Sequence, residues 1–388
     1  MDRNYNDFQN SKANSNSRGW AIDVNAHLQY FPVTSRWGGS YIQDTNVNNI
    51  NRFYPADQDT IDLSKGDIMR FKARDRILRV FQKRGVGRYG VFAKYIQNND
   101  DDSQLVTTNS IITADNINYY DGVVGLGGYG TNLCSSPIAD YFTDVVTGRA
   151  QRLGYDGLTD LGVLYKGQYY FPQLVTPYNK TILRTNGARA KVMAFFDTFD
   201  GDYHCILQAN TTTGAAQHFS FNEPRNGFVC DEYSYIPEWA ICANDIIFSW
   251  KEGNLYSHNS STYCNFYNVQ YDASLTVVFN KDLTFKKSWA SVSEIASDTW
   301  DCPTIYTNVN TYGTQRQESN LVAAELTKLE GMPSSAFKRD SNSPGGKVNG
   351  QFLKGNYIVI KFRKQGANNL ITLAEATVLS KESPLTPR

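Results

Sequence analysis

Apolar and polar residues alternate along much of this chain, as they do in half-buried β-strands. In residues 67–74, DIMRFKAR, the apolar Met69, Phe71 and Ala73 alternate with arginine and lysine. A period of two places the two sets on opposite faces of one strand. Similar runs recur to the end of the chain, so the pattern predicts a protein built mainly of strands.

Turn signals divide these strands into hairpins. Asp-Gly and Asn-Gly pairs favour tight turns because glycine adopts a positive φ without strain. The turn glycines are Gly148, Gly201, Gly227 and Gly253, and the last three recur every 26 residues. Two such hairpins give a four-stranded unit near the ~40–50 residues of a propeller blade. A multi-sheet sandwich is the alternative interpretation.

The pattern predicts an all-β chain in three parts. Residues 1–60 are polar and weakly periodic, which favours an extended N-terminal arm. Residues 61–270 carry the hairpins and predict propeller-like repeated antiparallel β-hairpin sheets, interrupted at 162–181 by one short helix or a long loop. Longer strands follow in residues 271–388, which predict a C-terminal β-sandwich. One core face there is predicted to hold Ile358, Ile360 and Phe362.

Composition and charge exclude several classes of protein. The 388 residues include 38 basic and 38 acidic side chains, so a protein that binds nucleic acid over its whole surface is not expected. Charged residues make up 20%, and aromatic residues 13%. Low charge with many aromatics suits a protein that buries surface against neighbouring subunits. No apolar stretch is long enough for a membrane span, and the first twenty residues have no apolar core of a secretory signal. The six well-separated cysteines are expected to be reduced thiols.

One segment of this neutral chain is strongly basic. Residues 70–94 contain nine lysines and arginines and one acid, Asp75. The alternation predicts that four of them lie on the solvent side of a strand and face an adjacent subunit: Arg70, Lys72, Arg74 and Arg76. Acids of the next copy could pair with them, with Asp57, Asp59, Asp62 and Asp100 to Asp102 as candidates. A solvated strand face or contact with phosphates are the alternatives.

No motif predicts a cofactor, metal or catalytic site. Residues 125–130 match G-x-G-x-x-G, but no helical period follows, so a glycine-rich loop with close backbone approach is expected. The acids Asp197, Asp200 and Asp202 lack the spacing of an EF-hand, and the four histidines lack zinc spacing. Asp202, His204 and Ser220 could be drawn as a triad, but no nucleophile elbow supports it. The carboxylates considered for glycoside hydrolysis are Asp140, Asp144, Glu232 and Glu238.

Whole segments of the chain resemble tail proteins of crAss-like and other short-tailed bacteriophages. The likeness lies in residues 76–97 (RILRVFQKRGVGRYGVFAKYIQ), 127–162 (GGYGTNL to LTDLG), 218–259 and 274–280 (SLTVVFN). It is to the β-rich nozzle or "muzzle" proteins that build the tail barrel. Members of that family are often much longer, which leaves open whether further blades belong to another polypeptide or a larger precursor.

The resemblance implies a virion structural protein rather than an enzyme. It implies a homo-oligomeric ring, a hexamer, around the DNA ejection channel, with contacts to other tail proteins and transient contact with ejected DNA. Such a protein is assembled in the bacterial cytoplasm and resides in the virion tail. Two alternatives remain. A receptor- or glycan-binding tail module would expose aromatics near Trp37, Trp239 and Trp300, and a propeller-type glycan hydrolase would pair carboxylates in a central pocket.

Overall fold

The computed structural model describes residues 30–40, 49–50, 53–97, 103–108, 110–178, 190–209, 216–230, 233, 235–308, 316–329, 331–366 and 368–382. These residues form mostly antiparallel strands with a few short helices, so the all-β prediction is confirmed. The chain divides into two compact units, Met1–His258 and Asn259–Arg388.

The first unit contains nineteen described strands. In chain order they are β1 Thr34–Arg36, β2 Gln58–Thr60, β3 Ile68–Arg74, β4 Ile77–Gln82, β5 Val86–Gly90, β6 Ala93–Gln97, β7 Ser103–Thr107, β8 Asn118–Tyr119, β9 Leu133–Ser135, β10 Asp140–Asp144, β11 Arg149–Leu153, β12 Leu158–Asp160, β13 Ala190–Asp197, β14 Asp202–Ala209, β15 Gln217–Asn222, β16 Gly227–Cys230, β17 Trp239–Ala243, β18 Ile246–Lys251 and β19 Asn254–Ser257. Two helices, α1 Leu161–Leu164 and α2 Tyr170–Val175, and 3-10 turns at Leu63–Lys65 and Thr176–Tyr178 join them.

Most of these strands form four consecutive antiparallel sheets. Sheet A has the order β3-β4-β5-β8, sheet B β12-β11-β10-β9, sheet C β13-β14-β15-β16 and sheet D β17-β18-β19. Two small pairs, β1 with β2 and β6 with β7, accompany them. Within the predicted arm, β1 and β2 pair antiparallel, and the flanking Val33 and Ile61 pack on Val80 and Tyr89 of sheet A.

Each sheet buries a face against the next one along the chain. Phe81 of sheet A packs on Phe142 of sheet B, with ring centroids 5.5 Å apart. Tyr141, on the other face of β10, stacks on Tyr203 of sheet C at 5.3 Å. Ile206, on the opposite face of β14 from Tyr203, packs against sheet D. Strands buried on both faces therefore account for much of the aromatic content.

The predicted hairpin turns are present, with one correction. Gly148, Gly201 and Gly253 adopt φ of 68°, 76° and 79°. Gly227 does not, and a positive φ there was a wrong prediction. Asn226 takes the left-handed position with φ of 53°, and Gly227 begins β16. Asparagine tolerates this conformation better than most residues, so the glycine is left free to start the strand.

The interruption predicted at 162–181 holds two short helices rather than one. Asp160 caps α1, because its Oδ1 accepts a hydrogen bond from the Val163 N–H at 3.1 Å. Phe171 and Val175 of α2 are buried in the core between sheets B and C. This helical segment is therefore anchored on the strands.

The second unit contains eleven described strands. They are β20 Asn265–Phe266, β21 Val269–Gln270, β22 Ala273–Phe279, β23 Lys287–Ala296, β24 Asp301–Thr307, β25 Glu318–Leu321, β26 Thr327–Leu329, β27 Met332–Ala336, β28 Lys354–Gly355, β29 Ile358–Lys364 and β30 Leu373–Glu382. A helix, α3 Gly346–Asn349, and a 3-10 turn at Ala323–Glu325 lie between them.

Two sheets of this unit share one core. Sheet E has the order β22-β29-β24-β25, and sheet F has the order β26-β27-β23-β28, with β30 also paired to β23. Ile358, Ile360 and Phe362 are fully buried, as their alternation predicted, and Trp289 and Val292 of sheet F join the same cluster. The predicted β-sandwich is confirmed for these strands.

Candidate functional site

The basic strand β3 does not present its side chains as its alternation predicted. Phe71, expected in the core, is 43% exposed. A β-bulge between Ile68 and Arg70 adds one residue to the strand and changes the phase of the alternation. The prediction that Phe71 faces the core is therefore wrong.

Two of the four predicted interface residues have partners inside the first unit. Arg70 donates to the carbonyls of Gly130 at 3.1 Å and Leu133 at 3.2 Å. Arg74 is nearly buried and donates to the carbonyls of Ser136 and Pro137 at 2.7 and 2.8 Å. These bonds hold the guanidinium groups of Arg70 and Arg74 against the chain at 130–137. The contact of either side chain with an adjacent subunit stays a prediction.

The other two differ in exposure, and Arg70 is itself exposed despite its hydrogen bonds. Lys72 is half-buried, and Arg76 is exposed in the turn between β3 and β4. Their contact with an adjacent subunit stays a prediction. Among the acids proposed as partners, Asp59 accepts from the Tyr89 hydroxyl and Asp62 from the Ser64 N–H, and 100–102 lie outside the described residues.

A buried ion pair joins sheets A and B. Arg79 donates to Asp140, to the Leu153 carbonyl at 3.0 Å and to the Gly154 carbonyl at 3.0 Å. Arg74 reaches the second oxygen of Asp140 at 3.3 Å. Asp140, considered as a catalytic carboxylate, thus has both oxygens engaged by guanidinium groups. Its role is to compensate buried charge.

The G-x-G-x-x-G segment is a structural loop between sheets A and B. The N–H groups of Leu126 and Gly127 donate to the carbonyls of Gln82 at 3.0 Å and Lys83 at 3.1 Å. A Cβ on Gly125 would lie 2.4 Å from the Gln82 oxygen, so only glycine fits. The expected close backbone approach is confirmed.

Of the remaining candidate carboxylates, the two that the structure describes, Asp144 and Glu238, each accept hydrogen bonds from backbone N–H groups. Asp144 accepts from the N–H groups of Gly125 at 3.2 Å and Val146 at 2.8 Å, while burial raises its pKa. Glu238 accepts from the Glu252 N–H at 3.2 Å. Glu232 lies outside the described residues.

Three of the four histidines meet between sheets C and D. Nδ1 of His204 lies 3.1 Å from Nε2 of His218, and Nδ1 of His218 lies 3.3 Å from the Tyr235 carbonyl. Nε2 of His258 lies 2.6 Å from the Ser249 hydroxyl. The register of β13 to β15 explains the cluster, since alternate residues of each strand point to sheet D.

Burial keeps these imidazoles neutral near pH 7. It lowers the pKa of His218 to about 4 and that of His204 well below its ordinary value, with the neighbouring imidazole adding to the effect on His204. The pKa of His258 is lowered for the same reason. Neutral imidazoles can share one proton along the His204–His218 contact.

The triad that the sequence suggested is not assembled. Asp202 pairs with Asn222, His204 with His218, and the Ser220 hydroxyl lies 2.8 Å from the Tyr233 hydroxyl. Burial raises the pKa of both Asp197 and Asp202. Among the described residues, no group of three His, Cys, Asp or Glu side chains is arranged to hold a metal ion.

The outer face of sheet D is the largest feature that these structural roles leave unexplained. The strand register places on it Trp239 and Ile241 of β17, Ile246, Phe248 and Trp250 of β18 and Leu255 of β19. Trp239, Ile241, Ile246 and Leu255 are 38, 46, 42 and 57% exposed. We refer to these six side chains as the sheet D outer face. The opposite face, with Ala240 and Ile247, packs on sheet C.

Sequence reasoning missed this face because both sides of the strands are apolar. In IIFSW, at residues 246–250, the residues of either parity could be core. The register pairs Trp239 with Trp250 and Ile241 with Phe248, and cross-strand neighbours share a face, so the structure was needed to recognise it.

A smaller feature lies beside helices α1 and α2. A cavity of about 270 Å³ is lined by residues of both helices and of β11, including Arg149, Asp160 and Tyr169. Val163 and Tyr169 of its lining are exposed. Asp160 lies 3.4 Å from the Arg149 guanidinium, so the charged lining is internally paired.

The tryptophans proposed for a receptor-binding module differ in exposure. Trp300 is buried in the core of the second unit and so does not supply the exposed aromatic surface that the receptor-binding alternative requires. Trp37 is half-buried, and Trp239 is exposed with the Lys191 ammonium 5.3 Å from its ring centroid. Of the three, Trp239 alone fits an accessible aromatic platform.

Comparisons with known proteins identify no relative: no protein-family model matches the chain, and no curated protein matches it. In the described part of the chain, no helix is both long enough and apolar enough to cross a membrane.

Proposed function

We propose that this protein is a structural component of a bacteriophage tail that assembles as a homo-oligomeric ring in the tail barrel, around the DNA ejection channel. The observation that carries assembly is the sheet D outer face. The assignment to a phage tail rests on the resemblance of four segments to nozzle proteins. Other tail proteins are its further partners, and ejected DNA touches the channel transiently.

The sheet D outer face is a surface that favours burial. Sheets A to C each bury an apolar face against the next sheet, and sheet D is the last of this series. Six large apolar side chains remain on its outer side. Covering one such side chain gains ~1.5–3 kcal/mol, and contiguous exposed apolar patches mark protein contacts.

The described polar groups support a structural role. Buried Asp140 compensates two arginines, and buried Asp144 caps backbone N–H groups of a loop. Arg152 and Tyr141 of sheet B both contact Glu223, which lies in the turn between β15 and β16 of sheet C. Each of these acids holds elements together, which is what an assembling protein requires of its subunits.

A ring requires a second and different surface on each copy. The proposed second contact is the start of the basic stretch, where Arg70 and Arg76 are exposed and Lys72 is half-buried, since a partner's acids would compensate its charge. Screening would weaken such a contact as salt rises.

Replacement of Ile241 by aspartate tests the proposal. A carboxylate in the centre of an apolar contact should abolish ring formation, because an unpaired charge is costly to bury. Negative-stain microscopy and mass photometry of the purified protein at micromolar concentration measure the rings. Val348→Asp, at an exposed apolar position on α3, is the matched control and should assemble as the wild type does.

The result that overturns the proposal is equally clear. A wild-type protein that stays monomeric, with no ring in the phage particle, would exclude it. If Ile241→Asp instead abolishes binding of host-surface glycans while a ring is never seen, the receptor-binding alternative replaces it.

A further inference from the structure

Strand β22 forms an unprotected edge of sheet E. Its seven residues, ASLTVVF, contain neither a charge nor a proline. All seven pair with β29, and among the described residues no backbone hydrogen bond reaches the other side of β22. A long uncharged edge strand is the kind that pairs with a further strand.

The neighbouring edges of the same sandwich are guarded. At the opposite edge of sheet E, the β25 residue Glu318 accepts from the Ser341 N–H at 2.8 Å and donates its own N–H to Asp340 at 3.1 Å. Strand β30, at an edge of sheet F, carries Glu375, Lys381 and Glu382. Charges on an edge prevent unwanted pairing, and β22 lacks them.

Strand β22 leaves large apolar side chains exposed to solvent. Ala273, Val277 and Phe279 pack against the core of the second unit. Leu275 shares their face but is 50% exposed. Val278, on the other face, is 52% exposed. A strand added beside β22 would cover Leu275 and continue the sheet.

We infer that β22 pairs antiparallel with β22 of a second copy of this chain, about a two-fold axis at Thr276. This register places Leu275 opposite the second copy's Val277 and small Ala273 opposite its large Phe279. It also places Asp272, before the strand, opposite the second copy's Asn280, after it. The side-chain sizes thus match in self-pairing, and no charge on β22 opposes it, as an isologous contact demands.

Cysteine cross-linking of the full-length protein tests the register. Thr276→Cys places two thiols directly opposite across the axis, and the thiol oxidant diamide should convert the protein to a covalent dimer. Ser274→Cys is the matched control, exposed on the same face of the same strand. Its two thiols would be about 13 Å apart, four residues along antiparallel strands, and no dimer should form.

A charge at the axis provides the second measurement. Thr276→Lys places two ammonium groups face to face and should weaken the two-fold association about tenfold or more in sedimentation velocity. Thr377→Lys, at an exposed position of β30, should leave it unchanged.

Three results would overturn the inference: equal cross-linking of both cysteine variants, no cross-linking of Thr276→Cys, or normal association of Thr276→Lys. None of them bears on the ring, which rests on the sheet D outer face. Conversely, a two-fold dimer without rings would leave this inference standing and exclude the proposed function.

Discussion

At the scale of single residues, the buried charges are the most sensitive positions. Arg79 and Asp140 are 2% and 0% exposed at their side chains, so neither charge is compensated by water. Removing one partner leaves the other buried without its counter-charge, which costs more than the pair itself contributes.

We therefore expect Asp140→Ala to lower the free energy of unfolding by about 3–5 kcal/mol. Urea unfolding followed by tryptophan fluorescence measures this loss. Asp156→Ala is the control, because Asp156 is 66% exposed and its 2.8 Å contact with Arg152 is open to solvent. The control should cost at most about 1 kcal/mol. Equal losses of unfolding free energy in the two variants would show that the Arg79 guanidinium is solvated by water.

At the scale of elements, the alternation of residues predicted strands and hairpins, but it did not always predict which face of a strand is buried. It was right for Ile358, Ile360 and Phe362, because a regular strand keeps its phase. It was wrong for Phe71, because the bulge at Ile68–Arg70 shifts the phase and leaves no mark in the sequence pattern. The partners of Arg70 and Arg74 include backbone carbonyls 60 or more residues away, which local spacing cannot reveal.

The histidine cluster gives the contact between sheets C and D a dependence on pH. Burial lowers the pKa of His218 from its ordinary value of 6.5 to about 4 in the folded protein. As the pH falls, the unfolded chain therefore binds a proton at this histidine before the folded protein does. The free energy of unfolding should fall as pH drops through 6.5 and level off near 4. His218 alone accounts for about 3 kcal/mol. His204 and His258 act in the same direction.

Urea unfolding at pH 8, 6.5 and 5 measures this dependence, with His218→Gln as the comparison. Asp197 and Asp202 share the face of His204, and their raised pKa values act in the opposite direction because the folded state binds protons more tightly. Both acids are present in both proteins, so the difference in slope isolates His218. Parallel slopes would mean that His218 is accessible to protons in the folded state.

At the scale of the whole molecule, the sequence revealed the all-β class but not the surfaces available for assembly. The apolar sequence of β18 predicts burial on both faces, whereas one of its faces belongs to the exposed side of sheet D. Which face is covered depends on how many sheets follow, and this is a property of the tertiary structure. The candidate interface therefore became visible only when the strand registers were known.

The two proposed contacts lie on different sheets, so their effects on assembly should be separable. Ile241→Asp should remove the ring and leave a two-fold dimer, because β22 is unchanged. Thr276→Lys should remove the two-fold pairing and leave single rings. The double variant should be monomeric, since each substitution removes one of the two proposed contacts. Mass photometry of the four proteins at equal concentration distinguishes these states. If either single substitution alone produced monomers, the two surfaces would belong to one interface, and the assignment of separate roles would fail.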